Sequence, residues 1–280
     1  MKNCFQISHN KDNYTKPIYF HSHDFYEIYF FVDGNVKYYV ENESFTLSKG
    51  DVLVIPPGKF HRPVFEGEYP YDRYVLWIYG HYAAGNEGIS GFISEINRMT
   101  AEKNTRRVSF EGEALRGLTA LFDKLLGVFP PENTLSFCIA ESCISLILGD
   151  ILESFRAAPA AAEQPPDLIR QVISRINRSV ADAPSLEQLS AEFFVSKYYL
   201  SHKFREHTRT TVHQYILMKK VNLAKELLEC GEPPKTVCDM CGFSTYSNFY
   251  KAFTRQTGIS PREFVQQNER HFTSEITSRQ

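Results

Sequence analysis

The residues whose types and spacing could do chemistry fall in two places. Near the N-terminus His21, His23 and Glu27 lie close together, and His61 follows the turn Pro56-Pro57-Gly58. Three imidazoles and a carboxylate are a donor set for Zn, Fe, Ni or Mn. The same groups can hydrogen-bond a polar organic ligand. Near the C-terminus two short segments carry donors of another kind: Tyr198, Ser201, His202 and Arg205, then Tyr246, Ser247, Asn248, Tyr250 and Lys251. Such side chains can reach phosphates and base edges. Cys238 and Cys241 form a C-x-x-C with no second pair at zinc spacing, so they read as core.

The C-terminal donors sit on a repeated unit. Leu189 aligns with Val237, Leu200 with Phe249, Phe204 with Phe253 and Tyr215 with Phe264, at offsets of 48 or 49 residues. Each copy reads as two short helices and a tight turn, over 185–207 and 235–257. Ser185 and Ser196 are placed as N-caps of the first pair. A helix from Val212 to about Cys230 links the copies, with Gly231 to stop it and Pro233-Pro234 to prevent continuation. In helix-turn-helix geometry the second helix enters the major groove with its N-terminal residues at the bases.

Gly242-Phe243-Ser244, Asn248-Phe249, Phe253, Thr257-Gly258-Ile259-Ser260-Pro261 and Phe264 resemble the C-terminal signature of the AraC/XylS family of bacterial transcription regulators, over roughly 167–270. The resemblance implies two units reading adjacent major-groove segments of double-stranded DNA, with RNA polymerase as a partner. It places base contacts on Tyr198, Ser201 and His202, and on Tyr246, Ser247, Tyr250 and Lys251. Arg205, Lys219, Lys220, Arg255 and Arg262 are assigned to phosphate. Arg209 stands where the second copy has Gly258, and His202 replaces the arginine often found there.

The N-terminal part alternates in short strand-like runs between Ile18 and Tyr82, divided by turns such as Asp33-Gly34-Asn35 and Ser48-Lys49-Gly50. The pattern suggests a sandwich or barrel. His21, His23, Glu27 and Gly34, followed by Gly50, Pro56, Gly58 and His61, resemble the two motifs of the cupin barrel. In metal-binding cupins His21, His23, Glu27 and His61 would be the ligands. In the regulator branch the pattern often persists without metal, so these four are expected to line an effector pocket with no cofactor. Trp77, the only tryptophan, is a candidate platform for a sugar ring.

The expected fold is therefore α+β in two domains: a cupin-like (jelly-roll) β-barrel over 1–85 with a helical dimerisation segment over 86–156, a linker over 157–166, and an all-α double helix-turn-helix domain over 167–280. The middle reads as helices near Ile89–Met99, Leu115–Phe129 and Leu135–Phe155, the last with an apolar stripe wider than one small barrel should cover. That stripe suggests a homodimer contact through Leu148 and Leu152. Residues 1–166 carry 15 Lys and Arg against 21 Asp and Glu, and 167–280 carry 16 against 12, a basic module on an acidic one. No apolar run approaches the length of a membrane span and the first residues are polar, so a cytoplasmic protein with no membrane partner is expected. The expected function is a DNA-binding regulator, an activator responsive to a small metabolite such as a carbohydrate, and not an enzyme. The rival is a metal-dependent cupin enzyme fused to a DNA-binding tail.

Overall fold

The computed structural model describes residues 4–12, 18, 20–41, 43–65, 70–103, 106–158 and 167–266. Most of the expected linker, 159–166, lies outside the described residues. The chain divides into two compact units, Met1–Pro165 and Pro166–Gln280.

In the first unit the strands are β1 (Phe5–Asp12), β2 (Phe25–Asp33), β3 (Val36–Val40), β4 (Glu43–Thr46), β5 (Asp51–Ile55), β6 (His61–Phe65), β7 (Tyr71–Tyr79) and β8 (Arg107–Ser109). They form a five-stranded sheet, β1-β7-β2-β5-β8, and a three-stranded sheet, β4-β3-β6. The β-rich cupin-like domain is present. Among the described residues the two sheets are not joined into one closed ladder. An isolated antiparallel bridge between His21 and His61 carries the chain from the edge of the smaller sheet toward β2 of the larger.

Helices α1 (Gly80–Gly85), α2 (Glu87–Lys103), α3 (Gly112–Gly127) and α4 (Thr134–Ala157) complete this unit. The larger sheet is the middle layer, and its strand alternation shows it. Ile28, Phe30, Val52 and Val54 join the core made with the helices. Their neighbours Tyr29, Phe31, Leu53 and Ile55 face the smaller sheet. A strand covered on both sides needs apolar residues on both faces, which is why β5 is buried at every position. The space between the sheets is packed with Tyr29, Phe31, Tyr38, Leu53 and Tyr71.

Several elements differ from the sequence expectation. β1 lies in a stretch read only as polar, with Phe5 and Ile7 turned inward and Gln6 and Ser8 less buried. β8 sits inside the span expected to be helical and pairs with β5. Contrary to the expected dimer contact, Leu148 and Leu152 are buried in their own unit, at 0% and 6% exposure. The stripe on α4 is covered because the outer face of the larger sheet is available to it. α4 is also long and apolar enough to cross a membrane by length and composition, which corrects the expectation that no stretch is. Its buried residues are accounted for as the core of this unit.

The second unit is helical: α5 (Leu168–Arg178), α6 (Leu186–Glu192), α7 (Lys197–Thr208), α8 (Val212–Glu229), α9 (Pro234–Met240) and α10 (Tyr246–Thr257). α5, capped by Asp167, buries Ile169, Val172, Ile173 and Ile176 and was not anticipated.

Burial of Leu148 makes a prediction that separates core from interface. Leu148→Asp places an unpaired carboxylate in a packed core and should cost more than about 4 kcal/mol. Urea unfolding followed by the fluorescence of Trp77 would lose its cooperative transition. A folded variant with a changed oligomeric state would contradict this.

Candidate functional site

His23, Glu27 and His61 converge between the two sheets, with one ligand atom of each within 4.8 Å of the others. β2 supplies Glu27 on its inter-sheet face, opposite Trp77 of β7 and Ile55 of β5. β6 supplies His61 at its first residue, opposite Val40. The segment before β2 supplies His23, held by a backbone bond from the Gly58 N–H to its carbonyl (2.9 Å). His21 is brought alongside. Its ring centroid is 4.4 Å from that of His61, but the residue is exposed and its nitrogens are outside the cluster.

Glu27 is a buried carboxylate, and burial alone would raise its pKa. The Tyr38 hydroxyl donates to it at 3.3 Å, and two further donors reverse the effect of burial: His23 Nε2 at 3.1 Å and the Trp77 indole N–H at 2.9 Å. Together with the charges of His61 and His23 they bring Glu27 down to about 2. His61 has no exposed surface. Desolvation lowers it to about 4 against the pull of Glu27, with His21 and His23 adding to the lowering. Its Nδ1 donates to the Lys59 carbonyl (2.8 Å), so in the neutral ring Nε2 carries the lone pair. That Nε2 is buried without a hydrogen-bond partner among the described residues.

His23 has the same arrangement. Its Nδ1 donates to the Phe25 carbonyl (3.0 Å), leaving Nε2 toward Glu27. A proton on both ring nitrogens or a cation shared with the carboxylate must occupy that contact. Two imidazoles fixed by backbone carbonyls, with their other nitrogens aimed at one carboxylate, fit a divalent metal ion. The orphaned Nε2 of His61 fits equally a hydroxyl donor on an organic ligand. Trp77 is less free than a stacking platform needs, since its N–H is bound to Glu27 and its ring lies 4.8 Å from that of Phe25.

In the second unit the duplicated helix pairs match in detail. Ser196 caps α7 through the Tyr199 N–H, and Thr245 caps α10 through the Asn248 N–H. The Thr208 hydroxyl donates to the Phe204 carbonyl and accepts from the Thr210 N–H, and Thr257 does the same with Phe253 and Ile259. Both second helices end in a left-handed residue, Arg209 at φ 57° and Gly258 at φ 80°. The missing glycine at 209 therefore leaves the turn intact, at the small cost an L-residue has in that region.

The apolar stripes of these helices face inward and the donors outward. Leu200, Phe204, Phe249 and Phe253 have no exposed surface. Tyr198, His202 and Arg205 are exposed, and Ser201 is half-buried. Tyr246, Ser247, Asn248, Tyr250 and Lys251 are all exposed. The charges differ between copies. Lys197 pairs with Glu187 and Lys203 with Glu206 around α7, whereas Lys251 and Arg255 on α10 make no ion pair among the described residues.

Residues 189–267 match the model of a helix-turn-helix domain, and residues 12–79 match that of a cupin domain. An HTH-type transcriptional regulator of Escherichia coli K12, YdiP, is 21% identical over 254 residues, which is 89% of this chain and 81% of that protein. The transcriptional activator RhaR of the same strain is 22% identical over 278 residues, covering 94% and 91%. LumQ of Photobacterium leiognathi, a probable transcriptional regulator, is 37% identical over 81 residues, covering 29% and 33%. The chain belongs to the AraC/XylS family of transcription regulators.

As an AraC/XylS regulator it carries a DNA-binding unit and a cupin-like ligand-binding unit. Of its four expected ligand-site residues, His23, Glu27 and His61 meet and His21 stands at their rim. The contribution of Tyr38 was missed, because its place opposite Pro63 in the smaller sheet depends on strand pairing. Lys220, expected at phosphate, instead donates from Nζ to the Gly242 carbonyl (2.6 Å).

The site sets a pH dependence. His61 is lowered from 6.5, so the unfolded chain takes up its proton first as pH falls. The stability it contributes is present above that value and lost as pH drops toward about 4. Glu27, also lowered, contributes stability that is lost only further down, as pH falls through about 2. The AraC/XylS regulator's first unit should lose up to about 1.4 kcal/mol per pH unit between roughly pH 6 and pH 4 from His61. Urea midpoints read by Trp77 fluorescence check this, and His61→Gln should flatten that part of the profile.

Proposed function

We propose that the protein is a homodimeric, cytoplasmic activator that binds double-stranded DNA through both helix-turn-helix units when a polar, hydroxyl-bearing metabolite occupies the His23–Glu27–His61 site. The carrying observation is the pairing of a duplicated outward donor face with a buried acceptor, His61 Nε2, in a separate unit. Tyr198, Ser201 and His202 read bases from α7, and Ser247, Asn248, Tyr250 and Lys251 read them from α10. Arg205, Arg255 and Arg262 serve phosphates. The name of RhaR, a transcriptional activator, supports the sign of regulation, and contact with RNA polymerase follows from it. The exposed Leu135 and Leu146 on α4 are the apolar residues left for a second copy.

An effector hydroxyl would donate to His61 Nε2, and Glu27 would hold the neighbouring donors in place. The same three residues would hold a divalent cation, which when bound supplies a Lewis acid for a ligand oxygen. Thermal melts of the full chain across sugars and sugar acids, with and without EDTA, separate these two. At about 100 times its dissociation constant a ligand should add about 2.7 kcal/mol to the unit that binds it. His61→Ala should abolish that gain. A gain unchanged in His61→Ala would remove the effector from this site.

DNA selected from a random duplex library by the wild-type chain tests the other half. Lys251→Ala should weaken binding by about 1–3 kcal/mol and relax preference at one position if Lys251 reads a base. Equal loss on every sequence, with a shallower salt dependence, would move Lys251 to the phosphates.

A further inference from the structure

The second helix-turn-helix is held at its turn in a way the first is not. Gly242 lies between α9 and α10 at φ 67°. A Cβ on it would stand 2.1 Å from the carbonyl oxygen of Ala181, in the segment between α5 and α6. It would also stand 3.1 Å from Lys220 Nζ. From α8 that ammonium donates to the Gly242 carbonyl at 2.6 Å and lies 5.6 Å from the centre of the Phe243 ring. Asp182, next to Ala181, acts on the same ammonium, whose pKa is lowered by desolvation despite the opposing pull of Cys241 and Asp182. A half-buried ammonium, a carbonyl and a turn without a side chain therefore meet at one point. That point joins the segment before the first reader, the linking helix and the second reader.

The duplication supplies the control. The first copy makes the same turn with Phe194 at φ 55°, and that residue is 94% exposed. Its backbone bond from Val195 to Ser190 matches the one from Phe243 to Cys238. The turn therefore forms without a clasp, and what the second copy gains from its clasp is position.

We propose that Lys220 is a positioning residue that locks the second recognition helix against the first, with Gly242 as the seat that lets Ala181 close on the turn. This rests on the two-groove reading above and adds to it. Two readers on one duplex bind together only if their spacing and angle match the groove. A pin of this kind raises affinity by removing motion before binding, without itself touching DNA.

The test measures geometry first and binding second. In the full chain with the exposed Cys138 and Cys230 replaced by serine, spin labels at Tyr198→Cys and Ser247→Cys report the distance between α7 and α10. Lys220→Met should broaden or shift that distance distribution, and Lys220→Arg should restore it. On DNA selected by the wild-type chain, Lys220→Met should bind about tenfold more weakly with an unchanged slope of log Kd against log salt. A phosphate contact would instead lower that slope by about one. Far-ultraviolet circular dichroism checks folding, and Lys220→Gln replaces Lys220→Met if the latter does not fold. An unchanged distance distribution, or a shallower salt slope, overturns the proposal. If the wild-type chain selects no DNA, the two-groove reading fails, while the distance comparison still decides the role of Lys220.

Discussion

Strand β2 has no solvent face between Ile28 and Phe31, and the N-terminal unit follows from that constraint. Helices cover one side and the smaller sheet the other, so a polar group on β2 must find its partners inside the protein. Glu27 does so by gathering donors from three directions: His23 from the segment before β2, Trp77 from β7 and Tyr38 from the smaller sheet. A buried carboxylate with fewer donors would be protonated or would destabilise the fold. The candidate ligand site is thus a place where the sandwich satisfies a buried charge, and a ligand that altered those donors would be felt by both sheets.

The C-terminal unit is governed by a different constraint. The two helix pairs share α8, which contributes apolar residues to the packing of both. Tyr215 meets Phe204 edge-on at 5.6 Å in the first pair, while Val221, Ala224 and Leu228 lie in the core of the second. The donors on α7 and α10 are left outward because Leu200, Phe204, Phe249 and Phe253 are turned inward.

Local signals made this second unit legible in sequence. Caps at Ser185 and Ser196 and the spacing of Leu200, Phe204, Phe249 and Phe253 act within a few residues of one another. The N-terminal unit was legible in its motifs and less so in its layers. β8 is three residues long and is defined by its pairing with β5 alone. The inward turn of Leu148 and Leu152 depends on a sheet face whose coverage no local pattern states. Lys220 read as a phosphate contact, and only the approach of the Gly242 turn shows where its ammonium goes. His21, His23 and His61 were identifiable by type, but which two approach Glu27 is decided by strand register.

Sharing α8 also has a consequence for how the C-terminal unit comes apart. Its first turns are buried with one reader and its last turns with the other, so fraying at either end withdraws apolar cover from a neighbour. The two helix-turn-helix units should then exchange their backbone amides with solvent as one cooperative block, without melting as two separate modules. Cleavage in the segment after α8 would leave the first reader attached to a helix whose Val221, Ala224 and Leu228 had lost their cover, and would expose an apolar surface.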